Sequence, residues 1–276
     1  MKTKTVFILI SAILLIAGCT LGKGNYDIQS LTTGEKRLVK AELEYFDILY
    51  PLMSGLAQAS SASSLFDIDG NTGSSAYLND LQDAKRELWS FYNNDQIVSG
   101  VKDGAVCFYL ESYDWEEVIG ISQNQLSYGL MPLCLAHEGI HSLDVYHEAT
   151  LENWIDANNN HPYNPDFFDK IQQYKDVPYL TDVFWGISHE LYNIYLELMD
   201  SCDAASDSAG LDIEQYMPES CSDWNEEMRE TLSEGDNPSE EWKDIFSELG
   251  LTDTEIEDWI DDSGLCEDLI DYCESL

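Results

Sequence analysis

The sequence predicts an α+β fold that is predominantly helical, with a small β-sheet preceding a short helix that carries two histidines. Apolar residues recur at helical spacing over long stretches of the chain. Two short runs near the middle are rich in β-branched and aromatic residues, as strands are. The last quarter is strongly acidic yet keeps regularly spaced tryptophan and leucine, which predicts an acidic helical C-terminal region.

The first 18 residues are typical of a signal peptide. Lys2 and Lys4 precede an apolar run over residues 6–17, which is short for a membrane-spanning helix and suits export. The small residues before Cys19 resemble the cleavage site of bacterial lipoproteins, a family in which this cysteine becomes the lipidated N-terminus. An ordinary signal peptide or an uncleaved anchor is the alternative. We therefore expect residues 19–30 to be a lipid-anchored tether at the cell surface or in the periplasm.

The charge and the size of the chain limit its partners and its domain organisation. With 53 acidic and 13 basic residues the formal net charge is −40, which argues against nucleic acid and anionic lipid as partners. It suits a salty habitat, cationic substrates or a body held off a membrane. We expect one main domain over residues 31–201, with the acidic region, residues 202–276, packed on it.

Six cysteines follow Cys19, and outside the cytoplasm an even number suggests up to three disulfides. Fifteen pairings are possible, and buried free thiols are the alternative. Cys266 and Cys273 lie seven residues apart on one predicted helix face, a spacing too long for a bridge between them. Each should therefore pair elsewhere. The other four are Cys107, Cys134, Cys202 and Cys221.

Periodicity places the regular elements in chain order. Apolar spacing predicts long helices before and after the sheet and short amphipathic helices in the acidic region, whereas β-branched runs predict two strands. The helices span residues 36–58, 79–92 and 184–200, and the strands span residues 105–110 and 118–121. The apolar stripe of the first helix consists of Leu38, Leu43, Phe46, Leu49 and Leu52. The apolar arc of the helix over residues 184–200 consists of Phe184, Ile187, Leu191, Ile194, Tyr195 and Leu198.

Between the first two helices, the spacing of Asp67, Asp69 and Asn71 matches the start of a calcium-binding loop. However, Thr72 stands where such a loop has its turn glycine, and Leu78 stands where it has its bidentate glutamate. These departures favour a plain turn.

The segment His137-Glu-Gly-Ile-His141 carries the predicted chemistry. Two histidines four residues apart on a helix project from the same face and can offer two ring nitrogens to one zinc ion. Glu138 lies beside that face, where it can take a proton from a metal-bound water. Pro132 suits the first turn of the helix. The alternative is a coincidental His-Glu-x-x-His on a surface helix.

A catalytic zinc usually takes three protein ligands, and the same helix cannot supply the third. If the helix breaks after Leu143, the run from His137 to His147 is similar to the metzincin pattern, with His147 as third ligand. That family has glycine where this chain has Asp144, a residue that tolerates the required turn less well. Otherwise a later helix must supply a carboxylate.

The segment Leu-Ala-His-Glu-Gly-Ile-His-Ser-Leu-Asp, together with Glu190-Leu-Tyr-Asn-x-x-x-Glu197, resembles the glutamate-type zincins, or gluzincins. The closest likeness is to the lethal-factor-like peptidases and covers about a quarter of the chain. The first motif is specific and the second is weak. The resemblance implies His137, His141 and Glu190 as zinc ligands and a zincin-like fold. It also implies that residues 31–201 form the catalytic domain and that Glu197 lies next to the zinc ligands rather than on the metal. We expect Asp144 to orient a ligand histidine or to cap a helix rather than to bind metal.

Together these observations predict a lipid-anchored extracytoplasmic zinc metallopeptidase with Zn²⁺ as cofactor, Glu138 as general base and a peptide or protein as substrate. The alternative from another class is a non-enzymatic surface lipoprotein, a binding or adhesion module with a structural or vestigial metal site. An intact Glu138 argues against it, because a purely structural site needs no base.

Overall fold

The computed structural model describes residues 27–60, 74–101, 107–113, 116–122, 131–143, 177–206, 213, 216–234 and 242–276. Within these ranges the chain is mostly helical with one small mixed sheet, which confirms the predicted fold class. The helices are α1 Thr33–Ala59, α2 Ser74–Asn93, α3 Met131–His141, α4 Val177–Ser206, α5 Cys221–Glu234, α6 Lys243–Glu248, α7 Asp253–Asp262 and α8 Leu265–Ser275. The strands are β1 Asp27–Ser30, β2 Ile97–Val101, β3 Cys107–Tyr113 and β4 Glu116–Ile121. The predicted signal peptide, Cys19 and the calcium-like loop lie outside the described residues.

The four strands form one sheet in the order β1-β2-β4-β3. β2 pairs with β4 in parallel, while the β1–β2 and β3–β4 pairs are antiparallel. The two predicted strands correspond to β3 and β4, and both precede α3 in the chain, as expected. β1 and β2 were not predicted, and β1 occupies the last four residues of the expected tether. Strands of four and five residues are too short for a clear alternating pattern, and pairing within the sheet stabilises them.

The buried face of α1 matches the predicted apolar stripe except at the first residue of the stripe, Leu38. Leu43, Phe46 and Leu49 are at most 1% exposed, whereas Leu38 is 48% exposed. Leu38 was therefore wrongly included in the stripe. Val39, which is fully buried, takes its place because it lies four residues before Leu43 and thus on the same helix face.

Gly120 on β4 faces the ring of Phe108 on β3, the residue directly opposite it in the sheet. A Cβ at this position would lie 2.1 Å from the Phe108 ring, and Phe108 is only 1% exposed. Gly120→Ala is therefore expected to lower the free energy of unfolding by about 1–3 kcal/mol, because the buried ring has to move. Urea denaturation measures this loss. Gly34→Ala is the control, since a Cβ there meets only the Thr32 hydroxyl at 4.0 Å; equal stability losses in both variants would contradict the prediction.

The chain divides into two compact units. The first comprises Met1–Ile48 and Ser63–Val183, and among described elements it holds the sheet, α2 and α3. The second comprises Leu49–Ala62 and Phe184–Leu276, and so joins the end of α1 and most of α4 to the C-terminal helices. The division falls inside α4, whereas the sequence changes character only after residue 201.

The acidic C-terminal region forms the predicted helices, and its spaced tryptophans and leucines are buried within the second unit. The Trp259 indole donates a hydrogen bond to the Leu52 carbonyl at 3.0 Å, and the Ser60 hydroxyl donates to the Leu249 carbonyl at 2.9 Å. The apolar residues buried in this region include Trp224, Met228, Leu232, Trp242, Ile245, Phe246, Leu249, Ile256, Trp259, Ile260, Leu265 and Leu269.

Three disulfides link the six cysteines that follow Cys19. Cys273 pairs with Cys202 and Cys266 pairs with Cys221, so neither bridges the other, as predicted. The third disulfide joins Cys107 to Cys134. Three disulfides are compatible with a chain outside the cytoplasm. Within the described ranges, no helix combines the length and the apolarity needed to cross a bilayer.

Candidate metal centre

The helix α3 buries its polar motif as completely as its apolar residues. His137 is 0% exposed, Glu138 1% and His141 4%, and Ile140 between them is also fully buried. Gly139 lets α2 approach closely, because a Cβ at this position would lie 3.0 Å from a methyl carbon of Leu88. Burial of polar groups this deep requires specific partners for them. A surface helix with a coincidental motif, the alternative weighed above, does not match this burial.

The imidazole rings of His137 and His141 lie side by side. Their centroids are 5.0 Å apart, and the ring planes are inclined by 71°. Two imidazoles that share one tetrahedral zinc through nitrogens at about 2.0–2.1 Å have centroids about 5 Å apart. The spacing of this pair therefore fits a shared metal ion.

A buried carboxylate is hydrogen-bonded to one ring nitrogen of His137, Nδ1. The Nδ1 atom of His137 lies 3.0 Å and 2.9 Å from the two carboxylate oxygens of Asp182, in the first turns of α4. The two side chains are 0% and 6% exposed. An ionised carboxylate can only accept hydrogen bonds, so the ring donates from Nδ1. In a neutral imidazole that is protonated at Nδ1, the free lone pair is on Nε2. This tautomer can bind a metal ion through Nε2.

A second buried contact holds the turn of α4 that carries Asp182. The hydroxyl groups of Tyr77 on α2 and Thr181 on α4 lie 3.0 Å apart, and both side chains are fully buried. Burial raises the pKa of the Tyr77 phenol above its usual range, so this group stays neutral. The hydrogen bond fixes the start of α4 against α2 beside the His137–Asp182 pair.

Of the remaining predicted site residues, the structure describes Glu190 and Glu197. Glu190 is half-buried and Glu197 is exposed, both on α4 and in the second unit. Asp144 and His147 lie outside the described residues. Among the residues that the structure describes, no three or more histidine, cysteine, aspartate or glutamate side chains are arranged to hold a metal ion. The third ligand therefore stays a prediction, with Glu190 and His147 as its two candidates.

His189, a histidine outside the predicted zinc ligands, is a partly buried residue of α4. Its ring stacks on the indole of Trp185 with centroids 4.4 Å apart, and its Nε2 lies 2.9 Å from the amide nitrogen of Asn193. Burial lowers the pKa of His189 to about 4, because the charged ring would lose its hydration. His189 is therefore neutral at physiological pH.

Asp182 is the functional candidate that the sequence analysis missed. Asp182 lies two residues before Phe184, where the helix was predicted to begin. The sequence analysis assigned the role of orienting a histidine to Asp144 instead. A signal was present, since Asp182 is a lone acid between the apolar residues Leu180 and Val183. A carboxylate in an apolar stretch of helix is stable only if it faces a donor or a positive charge.

Comparisons of the chain with protein-family models, with curated proteins and with solved structures find no match. The site combines a buried histidine pair, a buried glutamate between them in sequence and a carboxylate hydrogen-bonded to one ring. These parts define a candidate centre for a divalent metal ion.

Proposed function

We propose that this protein is an extracytoplasmic, lipid-anchored zinc metallopeptidase of the zincin type. The observation that carries the proposal is the buried Asp182 carboxylate bound to Nδ1 of His137, with the His141 ring 5.0 Å away and Glu138 buried on the same helix. A carboxylate that orients a metal-binding histidine is a recurring feature of zinc sites. The mixed sheet that precedes α3 in the chain is in keeping with a zincin-like fold.

The donor set fits Zn²⁺, which prefers imidazole nitrogens and carboxylate oxygens in its catalytic sites. His137 and His141 would bind it through nitrogen, and the sequence assigns the third place to Glu190 or to His147. A bound Zn²⁺ supplies Lewis-acid chemistry, in that it polarises a carbonyl oxygen and lets water ionise near neutral pH.

Glu138 serves as the general base in this proposal. It follows His137 directly on α3, so its carboxylate lies beside the face that carries the two imidazoles. Glu138 accepts a proton from the attacking water and passes it to the nitrogen of the leaving amine, which completes hydrolysis of the peptide bond. Burial of the motif excludes bulk water and strengthens electrostatic interactions within the site.

The net charge of −40 bears on the substrate rather than on the chemistry. A strongly negative surface attracts cationic peptides and repels nucleic acid, and salt screens both effects. We propose peptide or protein substrates, preferentially with lysine or arginine near the cleaved bond. The predicted lipid on Cys19 would hold the enzyme at a membrane.

Metal analysis and cleavage of a generic protein test the proposal together. We expect about one zinc per chain, and we expect a chelator to abolish cleavage and added zinc to restore it. His137→Ala and His141→Ala should each lose the metal, while His161→Ala, at a histidine that the sequence places in a loop, should retain it. Zinc binding without cleavage would instead support the non-enzymatic surface lipoprotein, and a parent protein that binds no zinc would contradict both.

A further inference from the structure

The Cys107–Cys134 disulfide attaches the metal-binding helix to the sheet. Cys107 is the first residue of β3 and lies opposite Ile121 of β4, and Cys134 is the fourth residue of α3. Both cysteines are buried, at 1% and 0% exposure. The other two disulfides lie within the second unit, where one joins α4 to α8 and the other joins α5 to α8. One of the three crosslinks therefore acts directly on α3.

Cys134 lies on the same face of α3 as the metal-binding motif. It precedes His137 by three residues, Glu138 by four and His141 by seven, which are the spacings of residues that share one helix face. A crosslink at Cys134 therefore fixes the rotation and the height of this face relative to the sheet. Because Cys134 and both histidines lie within about two turns of one helix, a displacement of Cys134 also displaces both imidazoles.

α3 is a short helix that depends on such attachments. It has 11 residues, and an isolated helix of that length is marginal in water. Its other attachments in the described residues include the packing of Leu88 against Gly139 and the His137–Asp182 hydrogen bonds. The disulfide is the covalent attachment among them, and it holds the half of the helix that precedes the motif.

We propose that the Cys107–Cys134 disulfide is a maturation switch for the metal centre. With both thiols reduced, α3 is not held in the position that zinc binding needs, and the peptidase is inactive. Oxidation after export completes the site, so that hydrolysis is confined to the outside of the cytoplasm. This inference rests on the proposed function, because it concerns the regulation of the same site.

The switch is an ordinary thiol–disulfide exchange. The disulfide of a thiol oxidoreductase, or of a small oxidised thiol compound, accepts two electrons from the two cysteines. The thiolate of one cysteine attacks that disulfide, forms a mixed disulfide with one sulfur of the oxidant and releases the other as a thiolate. The thiolate of the second cysteine then attacks the sulfur of the first, which forms the Cys107–Cys134 bond and releases the second thiolate of the oxidant. The two protons lost by the cysteines are taken up by these two thiolates, so the oxidant leaves as two thiols.

Zinc affinity of the full chain, measured by competition with a chromophoric chelator, tests the proposal. Cys107→Ala with Cys134→Ala removes the crosslink, and Cys107→Val with Cys134→Ala removes it while restoring some apolar volume. Cys221→Ala with Cys266→Ala is the matched control, because it removes a disulfide from the C-terminal helices and leaves α3 attached. Circular dichroism shows whether each protein folds.

We expect both crosslink-free variants to fold and to bind zinc about tenfold more weakly or worse, with a parallel loss of cleavage, while the control binds zinc like the parent. Zinc affinity and cleavage equal to the parent in the crosslink-free variants would overturn the proposal. Loss of folding in both variants but not in the control would also overturn it, since the crosslink would then support the fold rather than the site. A parent that binds no zinc would refute the proposed function itself, and this inference with it.

Discussion

Replacing Glu138 with glutamine is expected to lower kcat for peptide hydrolysis by about 10²–10⁴-fold, while zinc binding and folding are retained. Glutamine has nearly the size of glutamate and leaves α3 and the two histidines unchanged, but its amide cannot accept the proton of the attacking water. KM should change little, because the general base acts in the transition state rather than in substrate binding. Steady-state kinetics on a fluorogenic peptide measure both constants.

Glu42→Gln is the matched control for this experiment, since Glu42 is a partly buried glutamate that belongs to a different helix, α1. It should keep the parent's kcat. Zinc content of each variant, measured on the same preparation, separates loss of the base from loss of the metal. If Glu138→Gln cleaves peptides at the parent's rate with zinc bound, Glu138 is not the base and the proposed mechanism is wrong.

Replacing Asp182 with asparagine is expected to weaken zinc binding by about 10–100-fold, the range found when the partner of a metal-binding histidine is lost. Asparagine can accept the hydrogen bond from Nδ1 of His137 through one oxygen only, and it carries no charge to make the ring a better donor to the metal. The variant should also have a lower free energy of unfolding, because the buried His137 ring then has a hydrogen-bond partner with one acceptor oxygen and no charge. Chelator competition measures the affinity and urea denaturation measures the stability.

Asp47→Asn provides the comparison. Asp47 on α1 accepts a hydrogen bond from the Trp89 indole at 3.1 Å and forms an ion pair with Lys85 at 3.1 Å, so its substitution also removes charged contacts. It should lower stability without changing zinc affinity. A parent-like zinc affinity in Asp182→Asn, or an equal loss of affinity in both variants, would mean that the Asp182–His137 pair is only a structural contact.

The features that the sequence analysis predicted correctly depend on residues close together in the chain. The amphipathic pattern of α4 placed Phe184, Ile187 and Leu191 on its buried face, and all three are fully buried. On the same predicted arc, Ile194 and Leu198 are only partly buried. The strands β3 and β4 were predicted from local runs of β-branched and aromatic residues. The rule that Cys266 and Cys273 cannot bridge each other follows from helical spacing alone, and it holds.

The features that were missed depend on residues distant in the chain. β1 and β2 are too short to show a pattern of their own. They are strands because β1 pairs with β2 and β2 pairs with β4. Leu38 matched the apolar spacing loosely, and only the packed helix shows that Val39 occupies the buried position instead. Local periodicity reports which residues are able to form an element, whereas burial depends on what packs against that element.

The candidate chemistry could be predicted from local order along the chain, because the pitch of a single helix brings together His137, Glu138 and His141. The carboxylate that orients His137 and the cysteine that crosslinks α3 could not be predicted in this way, because both come from other parts of the fold. Asp182 follows its partner by 45 residues and Cys107 precedes its partner by 27, and separations of this size specify no contact until the intervening chain has packed.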